Sequence, residues 1–176
     1  VADRIPRDQP ARVMLEEAMA RGDEVLSEGR DRVHELRGTV IEEALEDVLR
    51  NQLQQFAGET AAELKLEVRG KPRTLHPVAS DEIAAICNEA LANAVRHARA
   101  SHIEVRAEYG RSGVQLAVID DGIGIEGLVV ESGRPGHFGL AGMRERAKRI
   151  RADLLFLSRP GGGTRVEVRV PASAAY

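Results

Sequence analysis

Residues 83–98 read IAAICNEALANAVRHA, and their apolar positions return every three or four residues. Ile83, Ile86, Cys87, Ala90, Leu91, Ala94 and Val95 form one stripe, which predicts an amphipathic helix with that face packed. The opposite stripe carries Glu89, Asn93, Arg96 and His97. Ser80 or Asp81 stands where an N-cap belongs, and acidic residues there suit the helix dipole. Upstream, residues 11–37 repeat Val13, Leu15, Ala18, Met19, Val25, Leu26, Val33 and Leu36 at near-helical spacing, predicting a long helix that loosens near Gly22 and Gly29. Gly38 breaks it and Thr39 can cap the next, over residues 40–56, whose apolar positions suit packing on a sheet.

Period-two alternation marks the strands. It appears at residues 64–68 (LKLEV), 102–109 and 113–119, the last two joined through Gly110, Arg111 and Ser112 as a β-hairpin. Residues 153–158 and 165–170 are read as the last two strands, joined by a turn over 160–164. Residues 70–77 form a turn region with two prolines, and residues 126–138 have little periodicity and several glycines and prolines, a loop. A helix is expected over 143–151. Five strands with three helices fit an α/β protein, a two-layer α/β sandwich with a long helix in front of it.

Composition narrows the class. The 176 residues are 43% hydrophobic and 30% charged, with net charge -3. That gives no electrostatic reason to expect nucleic acid. Aromatics are 3% with no Trp, so the core must be aliphatic. Cys87 is the single cysteine, which excludes an internal disulfide, and it lies on the apolar face of the central helix. No segment approaches the roughly 20 apolar residues that span a bilayer, which points to a cytoplasmic protein without direct membrane contact, or to the cytoplasmic part of a membrane-anchored sensor. The opening valine points to a fragment.

The polar stripe of the central helix combines a carboxylate, an amide oxygen and a cation, a set that suits a magnesium-bound polyphosphate. An ordinary surface helix could carry the same residues. Downstream the chain reads DDGIGI at 120–125, HFGLAGMRERA at 137–147 and GGGTRVEV at 161–168. An Asn-bearing helix, a DxGxG turn, a GLxGM turn entering a helix and a GGGT hairpin, in that order, resemble the ATP-binding domain of sensor histidine kinases. NEALANAVRHA, DDGIGI and FGLAGMRERA resemble, more narrowly, the subfamily that pairs with nitrate-regulator or LuxR-type response regulators. The likeness covers about residues 42–171.

That resemblance implies a Bergerat ATP-binding fold, a mixed five-stranded sheet with three helices, over residues 39–176. Residues 1–38 would be the second helix of a dimerising, phosphotransfer hairpin. ATP and Mg²⁺ are the implied ligands. Asp120 would accept from the adenine amino group, and Gly122 and Gly124 would let backbone approach the nucleotide. Asn93 would hold Mg²⁺ through its side-chain oxygen, and Arg96, with His97 beside it, would meet phosphate charge. Glu89 would polarise the attacking group or orient a magnesium-bound water. Gly139, Leu140 and Gly142 belong to the turn that leads a helix N-terminus towards the phosphates. Thr164 falls near the adenine pocket, where its hydroxyl could join the Asp120 network through water, although a plain hairpin threonine fits equally. Residues 126–138 would be a short lid, with His137 exposed, and Arg144, Arg146, Lys148 and Arg149 would be a solvated face.

His34 precedes Glu35, as an acceptor histidine precedes an acidic residue. Too little chain separates it from the central helix for it to lie on the first hairpin helix, so it is read as an exposed helical residue and the acceptor is expected outside this sequence. The implied partners are the receiver domain of a response regulator and a second copy through the N-terminal helix. Two rival functions stay open: an ATP hydrolase or clamp of the same fold, and a non-catalytic ATP-sensing dimerisation module. A serine-directed anti-sigma kinase is a nearer relative that the long N-terminal helix fits poorly.

Overall fold

The computed structural model describes residues 44–125 and 138–176. The expected helix over 11–37, His34, the Thr39 cap, the lid over 126–137 and His137 lie outside the described residues. Among those described, the chain runs α1 (Leu45–Ala57), β1 (Glu63–Arg69), α2 (Pro77–Asn93), a π-helical segment (Ala94–Ala98), β2 (His102–Gly110), β3 (Gly113–Asp120), α3 (Phe138–Arg149), β4 (Asp153–Ser158), β5 (Thr164–Pro171) and a short α4 (Ala172–Ala175). The strands form one five-stranded sheet in the order β1-β2-β3-β5-β4. β1 runs parallel to β2, and the other neighbours are antiparallel. This is the mixed sheet of the expected two-layer sandwich.

Alternation decides which side of the sheet is covered. Val105 and Ala107 of β2, Val114, Leu116 and Val118 of β3, and Val168 and Val170 of β5 are buried in one core with Leu49 and Phe56 of α1, Ile83, Ile86, Cys87 and Leu91 of α2, and Met143 and Ala147 of α3. The core is largely aliphatic, as the scarcity of aromatics requires. The opposite face of the sheet is charged. Arg106 there donates to Glu67 and to Glu104, each at 2.9 Å. Glu167 lies between Arg165 and Arg169, which cover it so completely that its carboxylate is buried.

Four features depart from the sequence reading. Helix α2 begins at Pro77, a turn before Ser80, with His76 at the N-cap and no side-chain cap bond. Proline suits the first helical position because its missing N–H would be unpaired there anyway. No acidic residue falls in that first turn, so the expected dipole pairing is absent. Helix α3 begins at Phe138 and not at Met143, which puts Gly139 and Gly142 inside it. Each helical glycine costs about 1 kcal/mol relative to alanine, and burial of Met143, Ala147 and Ile150 on the core offsets that cost. Of the basic residues of α3, Lys148 and Arg149 are exposed and Arg144 and Arg146 partly so; Arg146 and Arg149 also pair with Glu82 of α2, and Arg144 lies over the Phe156 ring at 5.8 Å.

The fourth departure is at the end of the central helix. After Asn93 the hydrogen bonding widens to a π-helical turn that closes at Arg99, a left-handed residue with φ of 52°. The 3.6-residue period therefore stops applying at Asn93. Glu89 and Asn93 stay half-buried on one line, whereas Arg96 and His97 turn out to solvent. Among the described residues no helix is long and apolar enough to cross a membrane.

Candidate functional site

Alternation along β3 puts Val114, Leu116 and Val118 on the helix side, and Asp120 continues that row at the strand's end. A carboxylate therefore emerges where the core face runs out, and it is 8% exposed. The register carries the row sideways: Asp120 pairs with Thr164 of β5, and Thr164 pairs with Ser158 of β4. The three polar side chains thus line one edge of the covered face.

Backbone holds Asp120 in place. Its Oδ1 accepts from the N–H of Gly122 at 2.9 Å and from the N–H of Thr164 at 3.2 Å. Burial pushes its pKa up, the two backbone donors pull it back, and the Asp121 charge adds to the rise; the net shift is above the ordinary carboxyl value. The Thr164 hydroxyl does not reach Asp120; it pairs with Ser158 Oγ at 3.0 Å. Ser158 also donates to the Gly163 carbonyl and accepts from the Ile125 N–H. Sequence reading missed Ser158, and only the strand register could have revealed it.

The turn after Asp120 is clamped on both sides. Ile123 N–H bonds the Ala98 carbonyl at the end of the π turn, and Gly163 N–H bonds the Gly122 carbonyl, each within 2.9 Å. A Cβ on Gly122 would collide with the Ala98 carbonyl, and one on Gly163, at φ of 72°, with the Asp120 carbonyl. Gly124, at φ of 67°, lies as closely against Arg159. These glycines are required by backbone packing, whatever else approaches them. Asp121, which sequence reading left without a role, accepts from the N–H groups of Ser101 and His102 and pairs with the His102 ring at 2.9 Å. Its carboxyl is held down to about 2, first by that His102 side chain, and His102 is raised in return.

The other part of the site lies on α2. Asn93 Nδ2 donates to Glu89 Oε1 at 3.3 Å, so the Asn93 amide oxygen is turned away from Glu89. The same Glu89 oxygen lies directly over Gly139 in the first turn of α3, where any Cβ would strike it. Glu89, Asn93 and Gly139 are therefore together. Leu140 is half-buried against the core, and Gly142 faces open space. Arg96 and His97 make no hydrogen bond or ion pair among the described residues and do not join this cluster.

The donor set can serve a cation only in part. Among the described residues no three His, Cys, Asp or Glu side chains converge on one point. An ion held here would need most of its oxygens from a ligand or water, the usual condition of protein-bound magnesium. The Asn93 oxygen and the Glu89 carboxylate are hard oxygen donors of the right kind.

Comparison with known proteins agrees with this arrangement. Residues 79–174 match the family model described as histidine kinase-, DNA gyrase B-, and HSP90-like ATPase. The nitrate/nitrite sensor protein NarQ of Escherichia coli is 36% identical over 141 residues, covering 79% of this chain and 24% of that protein. A NarQ homologue of Haemophilus influenzae is 29% identical over 158 residues, 87% of this chain and 27% of that one. The chain thus spans about a quarter of the length of these curated relatives. Among solved structures, the histidine kinase domain of a blue-light activated kinase from Erythrobacter litoralis superposes with a TM-score of 0.64 at 21% identity, covering 79% of this chain and 68% of that one, which shows a shared fold. The family match takes in more than half of the sequence and every element that carries the Asp120 turn, the Glu89–Asn93 face and the Thr164 hairpin; the chain belongs to the histidine kinase-, DNA gyrase B- and HSP90-like ATPases.

Proposed function

We propose that residues 39–176 are the ATP-binding catalytic domain of a two-component sensor histidine kinase, with residues 1–38 belonging to its dimerising hairpin. The observation that carries the reading is Asp120. It is a buried carboxylate with one oxygen committed to two backbone N–H groups, which leaves the other to accept from an adenine amino group and to discriminate against a carbonyl at that place. Gly122 and Gly124 let the turn pack against the Ala98 and Arg159 backbone, which fixes the backbone that a nucleotide would approach.

The phosphates would extend towards α2. There Asn93 offers its amide oxygen to Mg²⁺, which when bound neutralises phosphate charge. Arg96 and His97, exposed at the π turn, would swing to phosphate oxygens. The first turn of α3, with Gly139 and Leu140, presents unpaired N–H groups at the positive end of a helix. Gly142, one turn further in, would meet a phosphate only through its open face. Thr164 contributes its backbone N–H to the Asp120 carboxylate, and its hydroxyl acts through Ser158. Glu89 would orient or polarise the attacking group. Phosphoryl transfer depends on positioning and charge stabilisation, so the domain needs no covalent nucleophile of its own. The γ-phosphoryl group would pass to a histidine on a helix outside the described residues, with ADP leaving, and then to an aspartate of a response regulator's receiver domain. The whole protein would be a dimer on the cytoplasmic side of a membrane with a response regulator as its partner, and the likeness to NarQ, a nitrate/nitrite sensor protein, supports the sensor part of that reading.

The test is transfer from ATP labelled at the γ-phosphate to a helical hairpin bearing a histidine followed by an acidic residue, supplied in trans. Acid-labile label on the hairpin, lost with Glu89→Gln, is the expected result. Inorganic phosphate released equally with or without the hairpin would favour a hydrolase of the same fold. Nucleotide binding without either product would favour a sensing module.

A further inference from the structure

The face of α2 that carries Glu89 carries a second carboxylate two turns earlier. Glu82 is buried, its Oε2 accepts from Arg146 Nη1 at 3.0 Å and its Oε1 accepts from Arg149 Nη1 at 3.2 Å. Seven residues separate Glu82 from Glu89, and seven separate Gly139 from Arg146. Early α2 therefore meets late α3, and late α2 meets early α3. The two helices lie antiparallel and touch along one line at two matched points: Glu82 with its arginines, and the Glu89 carboxylate over Gly139. Between these points along the two helices the buried residues are apolar, Ile86 of α2 and Met143 of α3, both in the one core.

Apolar contact is non-directional, so it holds the helices together without fixing how far one has slid along the other. The carboxylate with two guanidinium partners does fix it. A slide of α3 along α2 would disturb both of these bonds at once, because Arg146 and Arg149 reach the same carboxylate from successive positions on one face of α3. Glu82 is buried while its arginines are partly exposed, and burying a carboxylate offsets much of what such a pair gains, so net stability is a weak reason for it. Setting register is the role left for it.

We propose that Glu82, with Arg146 and Arg149, is a positioning clamp that sets where the first turn of α3 sits against Glu89, and so sets the site's preference for a nucleoside triphosphate over a diphosphate. This rests on the reading that Glu89 faces the terminal phosphate. Glu82 itself touches no nucleotide. Glu167 is the built-in control: it has the same chemistry, one buried carboxylate between two arginines, but lies on the charged face of the sheet away from α2 and α3.

The experiment measures binding of a non-hydrolysable ATP analogue and of ADP, both with Mg²⁺, to wild type, Glu82→Met, Arg149→Met and Glu167→Gln, together with amide hydrogen exchange of the nucleotide-free proteins. Glu82→Met should lose about tenfold in affinity for the ATP analogue and under about threefold for ADP, a differential of roughly one hydrogen bond to a charged group. Exchange at the amides of Gly142, Met143 and Arg144, the first whose helical acceptors lie within α3, should speed up by a similar factor. Arg149→Met, which alters a half-exposed side chain and keeps the other arm, should give a smaller change of the same sign and replaces Glu82→Met if that variant fails to fold. Glu167→Gln should change neither ratio nor exchange. Equal losses for both nucleotides, or unaltered exchange in α3, overturns the clamp. If wild type binds neither nucleotide, the ATP reading fails, and the exchange measurement still decides whether Glu82 holds α3.

Discussion

The two ends of the candidate site are built from different materials. At the Asp120 end nearly every fixing contact involves backbone: Gly122 and Thr164 N–H on the carboxylate, Gly163 N–H on Gly122, and Ile123 N–H on Ala98. At the Glu89 end a single side-chain bond of 3.3 Å joins Asn93 to Glu89, and the nearby Arg96 and His97 have no partner among the described residues. The first end is preorganised, because its donors belong to strands and turns that the sheet already fixes. The second is assembled from side chains on two helices, so its geometry depends on how α2 and α3 pack. A base needs a fixed acceptor, whereas a phosphate chain that is transferred and then released gains from groups that can move.

The largest effect should come from disturbing the backbone-built end. Gly163→Ala forces a side chain onto the Asp120 carbonyl at φ of 72°. It should lower unfolding free energy by about 2–3 kcal/mol, seen as a lower denaturant midpoint, and take nucleotide binding with it. A midpoint equal to wild type would mean that the hairpin relaxes freely and that this end is not rigid.

Asn93→Ala acts on the assembled end and should leave the midpoint nearly unchanged. Affinity for an ATP analogue should fall about tenfold with Mg²⁺ and hardly at all in EDTA. The same loss in both conditions would remove Asn93 from the metal and make it an ordinary contact.

The smallest effect concerns Asp121 and His102, which tie the Asp120 turn to the start of β2. His102 is raised above 6.5 and Asp121 is lowered to about 2, so both are charged between the ordinary carboxyl value of 3.8 and pH 6.5. Their contribution is complete in that window and fades as pH rises through the His102 value. Thermal melts should show a gap between wild type and His102→Gln that is widest near pH 5 to 6 and narrows towards pH 9. Both groups are exposed, so the gap is small at any pH. A gap that widens with pH would reverse the assignment of the charges.

Much of this was readable from the chain because it is local. All five strands were legible, three by alternation and the last two as short segments on either side of a glycine turn, and the glycine turn after β3 marked Asp120. What escaped is either non-local or aperiodic. Asp120, Thr164 and Ser158 share an edge only because β5 lies between β3 and β4, a register that no stretch of sequence carries. Nothing local in the sequence marks Glu82, because its partners are 64 and 67 positions away. Arg96 and His97 were placed on the Glu89 line by extending a 3.6-residue period through Ala94–Ala98, where the hydrogen bonding widens to the π pattern. Two glycines made residues 138–142 look unhelical, although tertiary packing outweighs their propensity.

The central claim is that Asp120 is an adenine acceptor fixed in advance by backbone. Asparagine keeps an oxygen for Gly122 and Thr164 but can turn its donor towards the base. Because burial raises the Asp120 pKa, removing the charge should not weaken the fold. Calorimetry with a non-hydrolysable ATP analogue and Mg²⁺, on wild type and Asp120→Asn, is the direct measurement, with a thermal melt of each. Wild type should bind, and the variant should lose about 100-fold or more in affinity while melting at the same temperature or higher. A variant that binds as tightly as wild type would contradict the account.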